Sequence, residues 1–277
     1  MKKILSLLIA AAAALNLGSC ANNSLPQGEN NIPSGASPED GKEKLSAETP
    51  HDEVMLEGRV AYADENGVFF TYSDKVGRER FCMLETNTAR IYKADGTECK
   101  ADSLVSGVPV SVEYDGTVLE TYPEIIAPTV ITIGDESEAD NIIEMLLSAF
   151  DYLYESDSGL NDSIKYLAFD LSDFDLIGDG EKEAFIHIAS SRSGAEALVG
   201  NIESLLEEGY MVKKDGFLSF PEGLLISFSS EDEEASEGEF EFEMSKYRSS
   251  LGAIYLGCRA NRSDGKWGFK TESFAIS

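Results

Sequence analysis

Positive charge is scarce in this sequence. The 277 residues include 22 Lys and Arg against 51 Asp and Glu, which gives a formal net charge of −29 at pH 7. Such a surface repels phosphate backbones and anionic lipid headgroups. We therefore expect no nucleic-acid partner. A basic protein, a peptide or a glycan is compatible with this charge, and the sequence does not select among them.

Histidine is nearly absent as well, with only two residues in the chain. Neither His51 nor His187 has sequence neighbours typical of a catalytic triad or a metal site. The sequence also has no G-x-S-x-G, Walker or H-E-x-x-H motif. It therefore predicts no catalytic residues and does not indicate an enzyme.

Cysteine is limited to four residues. Export would allow Cys82 to pair with Cys99, and the alternative, which we favour, is that both of these and Cys258 are free thiols. Three scattered cysteines and two histidines do not suit a structural zinc site.

Long apolar runs are missing except at the start of the chain. The run from Ile4 to Leu15 follows Lys2 and Lys3 and is shorter than the about 20 residues of a membrane-spanning helix. This arrangement is typical of a signal peptide, which we assign to residues 1–19.

The run is followed by Leu17-Gly18-Ser19-Cys20. This tetrapeptide resembles the lipobox of bacterial lipoproteins. The resemblance implies that Cys20 receives a diacylglycerol and becomes the mature N-terminus, and that the protein is extracytoplasmic and anchored to the bacterial cell membrane. The alternative is an ordinary secretory signal that contains a cysteine by chance.

Residues 20–51 are predicted to form the lipidated cysteine and a disordered tether. Residues 21–50 carry four of the eight prolines and no aromatic residue, so they cannot bury a core. The tether would hold the rest of the chain away from the membrane.

Residues 52–134 show short alternating strands and predict an all-β, OB-like Greek-key barrel. The strongest local signal is a hairpin, in which the strand from Val108 to Tyr114 turns at Asp115-Gly116 into Thr117–Glu120. The other predicted strands are Val54–Val60, Val68–Tyr72, Arg80–Tyr92 and Ile125–Ile133. OB barrels bind ligands on aromatic strand faces. Candidates for stacking are Phe69, Phe70, Tyr72 and Phe81.

Residues 54–133 also resemble an uncharacterised family of small OB-barrel lipoproteins of Gram-positive bacteria. The resemblance depends on Gly107–Val112, which reads G-x-x-V-x-V, and on the run DGTVLETYPEI at 115–125. It implies a fold and no activity. The C-terminal region resembles uncharacterised exported clostridial-type proteins, again without an implied role.

Residues 135–277 predict an α+β domain in which helices pack on an antiparallel β-meander. A capping box at Ser137–Asp140 is expected to start the first helix. Further helices are predicted at Glu181–Ser190 and Ile202–Glu208. Strands are predicted at Tyr166–Leu171, Gly216–Phe220, Gly223–Phe228, Glu237–Met244, Gly252–Ala260 and Trp267–Ile276.

Five carboxylates crowd residues 173–183, which we call the acidic loop. Carboxylate oxygens around glycines are typical of calcium loops, so Asp173, Asp175, Asp179, Glu181 and Glu183 are candidate calcium ligands. The spacing lacks some of the expected oxygens. The alternative, which we favour, is a helix N-terminus that Asp179 caps.

Two further patterns suggest surface contacts. Glu237, Glu239, Glu241 and Glu243 share one strand face, which indicates either a docking strip for a basic partner or a solvated sheet face. Lys246 and Arg248 form a rare basic island, interpreted either as an anion contact or as internal ion pairs.

The sequence as a whole favours a non-enzymatic, membrane-anchored binding or accessory lipoprotein without a cofactor other than possible calcium. The alternatives are a cell-wall or glycan-directed hydrolase and a calcium-stabilised structural module.

Overall fold

The computed structural model describes residues 53–232, 234–235 and 238–277. In these residues strands predominate over helices and form two curled sheets. This confirms the predicted mixed, β-rich fold. All of the described residues belong to one compact unit.

The first sheet contains nine strands. In chain order they are β1 (Val54–Asp64), β2 (Gly67–Ser73), β3 (Glu79–Leu84), β4 (Arg90–Tyr92), β5 (Glu98–Cys99), β6 (Pro109–Tyr114), β7 (Val118–Leu119), β8 (Glu124–Ile126) and β9 (Val130–Ile133). They lie in the order β5-β4-β9-β6-β1-β2-β3-β8-β7. β8 is parallel to β3 and β9 is parallel to β4, and the other neighbours are antiparallel.

Alternating side chains of this sheet fill a core of their own. On β6, Val110, Val112 and Tyr114 are buried and the residues between them are not, as the period of two requires. Phe70 on β2 lies in the same core. At Gly58 the strands approach so closely that a Cβ atom would lie 2.1 Å from the Thr71 carbonyl oxygen, so only glycine fits there.

Two predictions for this region are wrong. The strand predicted for Arg80–Tyr92 is divided by a 3-10 turn at Thr86–Thr88, because β3 pairs with β2 and β8 whereas β4 pairs with β5 and β9. The predicted hairpin does not form either. Both edges of β6 are occupied, by β1 and β9, so β7 pairs with β8 instead.

The second half of the chain contains the three helices of the described residues and a second sheet. The helices are α1 (Ile142–Glu155), α2 (Asp179–Ser193) and α3 (Ile202–Glu207). The strands are β10 (Tyr166–Asp173), β11 (Glu196–Val199), β12 (Val212–Lys214), β13 (Phe217–Ser219), β14 (Gly223–Ser229), β15 (Glu239–Ser249), β16 (Gly252–Ser263) and β17 (Lys266–Ile276).

The main part of the second sheet lies in the order β11-β10-β14-β15-β16-β17, and the β12–β13 hairpin meets the end of β15. Strands β14 to β17 form the predicted antiparallel meander. The expectation of a wholly antiparallel sheet is wrong for β10, which is parallel to both β11 and β14. Helix α2 makes the crossover from β10 to β11, and such a connection produces parallel neighbours.

Helix α1 has the predicted apolar face, with Ile142, Leu146, Phe150 and Leu153 all buried. The predicted capping box is wrong, because the helix begins only at Ile142. The Asp140 carboxylate accepts the hydrogen bond from the Ile142 N–H at 3.2 Å. No helix of the described residues combines the length and the apolar character needed to cross a bilayer.

Helices α1 and α2 cover one face of the second sheet, which we call the inner face. The core between them also includes Phe69 and Phe81 from the first sheet. The predicted boundary at residues 134 and 135 follows the end of β9 at Ile133. Whether the two parts are separate domains stays a prediction.

Candidate functional site

The opposite, outer face of the second sheet is where polar side chains collect. On β15, Phe240, Phe242 and Met244 are buried against the inner core, whereas Glu239, Glu241 and Glu243 are exposed. The predicted alternation is therefore confirmed for these residues. Glu237, the first residue of the predicted strip, lies outside the described residues.

Part of the outer face is covered. Helix α3 and the β12–β13 hairpin pack on it through a small apolar core that includes Leu205, Met211, Phe220, Leu225 and Tyr247. This cover does not include the half of the face near Ser227 and Glu243, which lines a cavity. The covered part of the outer face, under α3 and the β12–β13 hairpin, therefore lies beside an uncovered part.

That cavity has a volume of about 300 Å³, and we call it the serine groove. Its floor consists of two cross-strand rows on β14 to β17, of which one contains Ser229, Glu243, Gly257 and Ser273 and the other contains Ser227, Ser245, Tyr255 and Ala275. The polar side chains that line it are Ser227, Ser229, Glu243, Ser245, Tyr255 and Ser273.

Most hydroxyl groups of the serine groove have no side-chain hydrogen-bond partner among the described residues. Ser273 Oγ accepts a hydrogen bond from the Gly257 N–H at 3.2 Å. A Cβ atom at Gly257 would lie 2.4 Å from that oxygen, so glycine keeps the floor open. No side-chain hydrogen bond joins Ser227, Ser229 or Ser245 to another described residue. These hydroxyls are therefore available to a ligand as both donors and acceptors.

A second cavity of about 610 Å³ lies next to the groove, lined by Asp170, Glu203, Glu207 and neighbouring residues of α3. Asp170 on β10 is the cross-strand neighbour of Ser227. The two cavities therefore adjoin across the boundary between β10 and β14.

The position of the cavity at Asp170 follows from the topology. β10, β11 and β14 are parallel, so their carboxyl ends lie at the same edge of the sheet. After β10 the chain passes to α2 on the inner face, and after β11 it passes to α3 on the outer face. The cavity at Asp170 and α3 lies at this switch point, where open α/β sheets bind ligands, whereas the serine groove lies on the antiparallel strands β14 to β17.

Two cations lie beside the groove, and both are paired with carboxylates. Arg259 contacts the carboxylates of Glu241, of Glu272 at 3.2 Å and of Glu239 at 3.7 Å. Lys270 contacts Glu272 at 3.0 Å, and Glu241 in particular raises the pKa of Arg259. The side chains lining the two cavities that are charged at neutral pH are all carboxylates.

The acidic loop does not gather its carboxylates. Asp173 ends β10, Asp175 contacts Lys182 at 3.4 Å, and Glu181 accepts a hydrogen bond from the Gly178 N–H at 3.2 Å. Asp179 is the first residue of α2, and Glu183 is on its exposed side. Within the described ranges, no three His, Cys, Asp or Glu side chains converge as a metal site would require. Calcium binding stays an untested prediction.

The glycines of the acidic loop have another role, which sequence reasoning missed. The N-cap of α2 is Gly178 and not the predicted Asp179. Glu79 of β3 accepts a hydrogen bond from the Gly180 N–H at 3.2 Å, and a Cβ atom at Gly180 would lie 2.9 Å from the Arg80 carbonyl oxygen. The loop is therefore a close joint between α2 and the first sheet. Burial raises the pKa of Glu181, and the Gly178 N–H opposes this shift.

The aromatic surface predicted for the first sheet is not open to a ligand. Phe70 lies in the core of that sheet, the partly buried Tyr72 stacks on it at 5.4 Å, and Phe69 and Phe81 pack against α2. His187 of α2 lies 5.7 Å from the rings of Phe69, Phe81 and Tyr122. This packing also accounts for His187, whose pKa is lowered by burial.

No ion pair joins Lys246 or Arg248 to a carboxylate of the described residues, and both donate to backbone carbonyl oxygens instead. Lys246 is fully buried, and its ammonium group donates to the carbonyl oxygens of Tyr154, Ser156 and Asp157 at 2.8, 2.6 and 3.1 Å. Arg248 donates to three carbonyl oxygens nearby, those of Leu160, Asp162 and Pro221. The end of a helix leaves carbonyl groups without partners, and these two cations supply the donors.

The three described cysteines are free. Cys82 and Cys258 are buried and Cys99 is partly exposed, so the favoured interpretation of free thiols is confirmed for them. Burial raises the pKa of Cys82 to about 12 and that of Cys258 to about 11.

No known protein-family model matches this chain, and a comparison with curated proteins finds no significant match.

Proposed function

We propose that the protein is an extracytoplasmic lipoprotein, held at the bacterial cell membrane by a lipid on Cys20, that binds a ligand in the serine groove. The observation that carries the binding role is the group of serine hydroxyls, without a side-chain partner among the described residues, that lines one cavity on the outer face of the second sheet. The anchoring depends on Leu17-Gly18-Ser19-Cys20, which lies outside the described residues.

A binding role accounts for the groove better than a catalytic one. A serine nucleophile requires a base within hydrogen-bond reach. The one groove serine with a protein partner, Ser273, accepts from a backbone N–H, and neither lysine nor histidine lines the described cavities. The groove therefore offers no lysine or histidine base for a serine nucleophile among the described residues, and we assign it to binding.

We also propose that residues 52–134 form an OB-type barrel, as the resemblance to the small lipoproteins implies. Strand pairing supports this. β1, β2 and β3 form a meander, β8 joins β3 in parallel, and β6 returns to β1. Only residues 127–129 separate β8 from β9, which pairs with β6. The curled sheet thus follows part of the course of a barrel, and no strand pairing among the described residues joins its two ends.

Lipid attachment is tested by growing cells with an alkyne analogue of palmitate. We expect the wild-type protein to be labelled and to sediment with membranes, and Cys20→Ser to lose both properties. Cys99→Ser is the matched control, because it removes a partly exposed thiol elsewhere. Lipid labelling that persists in Cys20→Ser would refute the anchoring proposal. External protease should digest the protein in cells without an outer membrane, and protection there would contradict the location.

A further inference from the structure

We propose that the serine groove binds an uncharged glycan chain. This inference rests on the binding role proposed above and names the class of ligand. Three kinds of side chain line this one cavity on the outer face of the second sheet. They are three serines whose hydroxyls have no side-chain hydrogen-bond partner among the described residues, the Glu243 carboxylate and the exposed ring of Tyr255.

The hydrogen-bonding groups of the groove match those of a sugar. A sugar ring offers neighbouring hydroxyl groups that each donate and accept, and Ser227, Ser229 and Ser245 do the same. The carboxylates of Glu243 and Asp170 are acceptors only, so they suit hydroxyl groups that donate. The groove thus provides both kinds of partner.

Tyr255 supplies an apolar surface next to these polar groups. Its side chain is 46 % exposed although it lies in the middle of the groove floor, beside Ser245. A tyrosine ring combines an apolar face with a polar tip. The C–H face of a sugar ring can pack on that apolar face while its hydroxyl groups reach the serines.

The local charge disfavours anionic ligands. The side chains lining the two cavities that are charged at neutral pH are Asp170, Glu203, Glu207 and Glu243, and the nearby cations Arg259 and Lys270 are both paired with carboxylates. A phosphate or sulfate group would meet repulsion of about 1 to 4 kcal/mol from each carboxylate 4 Å away, depending on solvent exposure. The ligand is therefore neutral or cationic.

The backbone favours a glycan over a peptide. Extended peptides bind sheets by adding to an edge strand, where backbone N–H and C=O groups are unpaired. The floor strands β14, β15 and β16 pair with neighbours on both sides, whereas β17 is the edge strand of the sheet. A peptide added to β17 would extend the sheet beyond the groove and would not lie over the serine hydroxyls of β14 and β15, so these hydroxyls favour a glycan.

The shape of the site suits a chain of sugars more than a single one. Four strands, β14 to β17, carry the two rows of the floor, and a strand spacing of about 4.8 Å gives a width of about 14 Å. The cavity at Asp170 extends this trough toward α3. A linear glycan would lie across the strands.

Affinity electrophoresis of the full-length protein in gels that contain a soluble polysaccharide tests this proposal. The neutral probes are β-glucan, mannan, xylan and galactan, and the charged probes are heparin and an oligolysine peptide. We expect at least one neutral polysaccharide to retard the protein equally at 0.15 M and 0.5 M salt (about 8 Å and about 4 Å of screening length). We expect no retardation by heparin.

Two tyrosine variants form a matched pair, because Tyr255 is 46 % exposed and Tyr152 on α1 is 48 % exposed. Tyr255→Ala should weaken binding about tenfold or more and Tyr152→Ala should leave it unchanged, with circular dichroism confirming that both variants fold. Ser245→Leu, which fills the groove, should weaken binding as Tyr255→Ala does.

Different results overturn different parts of the proposal. Binding of oligolysine alone, lost in Tyr255→Ala, would refute the glycan and leave the groove as a site for a basic partner. No retardation by any probe, or equal loss in both tyrosine variants, would refute the glycan and the binding role of the groove together. Release of reducing ends from a polysaccharide would show hydrolysis and contradict a role limited to binding. Lipid labelling of Cys20 is independent of all three results.

Discussion

Replacing Lys246 with methionine tests the interpretation that a buried ammonium group holds the end of α1. Lys246→Met keeps most of the side-chain volume and removes all three hydrogen bonds to carbonyl oxygens. Two of these oxygens retain another donor, whereas Ser156 O has only Lys246 among the described donors.

The magnitude follows from three contributions. Hydrogen bonds from a charged donor are worth about 1.5–3 kcal/mol each, and an orphaned carbonyl costs about 1–3 kcal/mol. Removing the ammonium also removes its desolvation penalty, which is several kcal/mol and offsets much of this loss. We expect the free energy of unfolding to fall by about 3 kcal/mol at pH 7, which is typical of breaking a buried charged contact.

Urea unfolding followed by the fluorescence of Trp267, the single tryptophan, measures this change. Trp267 is suitable because it is buried and its indole N–H donates to Asp140 at 2.7 Å. Lys214→Met on β12 is the control, since that lysine is exposed and has no ion pair in the described residues. A loss in Lys246→Met no larger than in the control would refute the reasoning.

The difference in unfolding free energy between the wild type and Lys246→Met should depend on pH. Burial lowers the pKa of Lys246 from 10.5 to about 8, and the carboxylate of Asp157 opposes this shift. Below pH 8 both folded and unfolded states hold the proton. Between pH 8 and 10.5 the unfolded state binds the proton and the folded state does not, so stability rises with pH by about 1.4 kcal/mol per unit. A stability difference between wild type and Lys246→Met that stays flat over this window would contradict the depressed pKa.

Three further predictions concern other parts of the fold. Gly180→Ala should lower the free energy of unfolding by about 1–3 kcal/mol in urea titrations, because the added Cβ atom meets the Arg80 backbone. This clash exceeds the roughly 1 kcal/mol by which alanine stabilises a helix relative to glycine. A stabilised variant would show that α2 and the first sheet are not closely packed at this point. Calcium or EDTA should leave the melting temperature unchanged, since the carboxylates of the acidic loop do not converge, and a shift of several degrees with calcium would establish the site. Iodoacetamide should modify Cys99 before Cys82 and Cys258, as followed by mass spectrometry, because the latter two are buried and have raised pKa values; equal rates would contradict that burial.

The hydrophobic pattern of a single element predicts which of its faces is buried, whatever that element pairs with. The alternation on β15 and the apolar face of α1 depend only on which side of the element is buried, so both could be predicted. The break between β3 and β4 could not, since it depends on where β8 and β9 arrive from later in the chain. The hairpin at Asp115-Gly116 failed for the same reason. Asp115-Gly116 is a valid turn signal, but β6 pairs with β1 and β9 and leaves no edge for β7.

The serine groove was not predicted because no local motif encodes it. Its serines come from β14, β15 and β17, and they meet only through the register of four strands. Alternation in Ser227-Phe228-Ser229 and in Glu243-Met244-Ser245 was visible and predicts that each set shares one face. What it does not predict is that the two faces are adjacent and that α3 leaves them uncovered.

The few cations of the chain account for the character of its surface. Lys246 and Arg248 donate to backbone carbonyls, and so do Arg59, to Gly107 at 2.5 Å, and Arg262, to Ala139. A cation that donates a hydrogen bond to a backbone carbonyl group holds a loop in place and does not neutralise a carboxylate. Other Lys and Arg side chains do pair with carboxylates, but 51 Asp and Glu against 22 Lys and Arg leave the surface acidic. The resulting field raises the local concentration of cations and repels anions. A site on such a surface selects against phosphorylated and sulfated ligands before any contact forms, whereas an uncharged glycan approaches the groove without an electrostatic penalty.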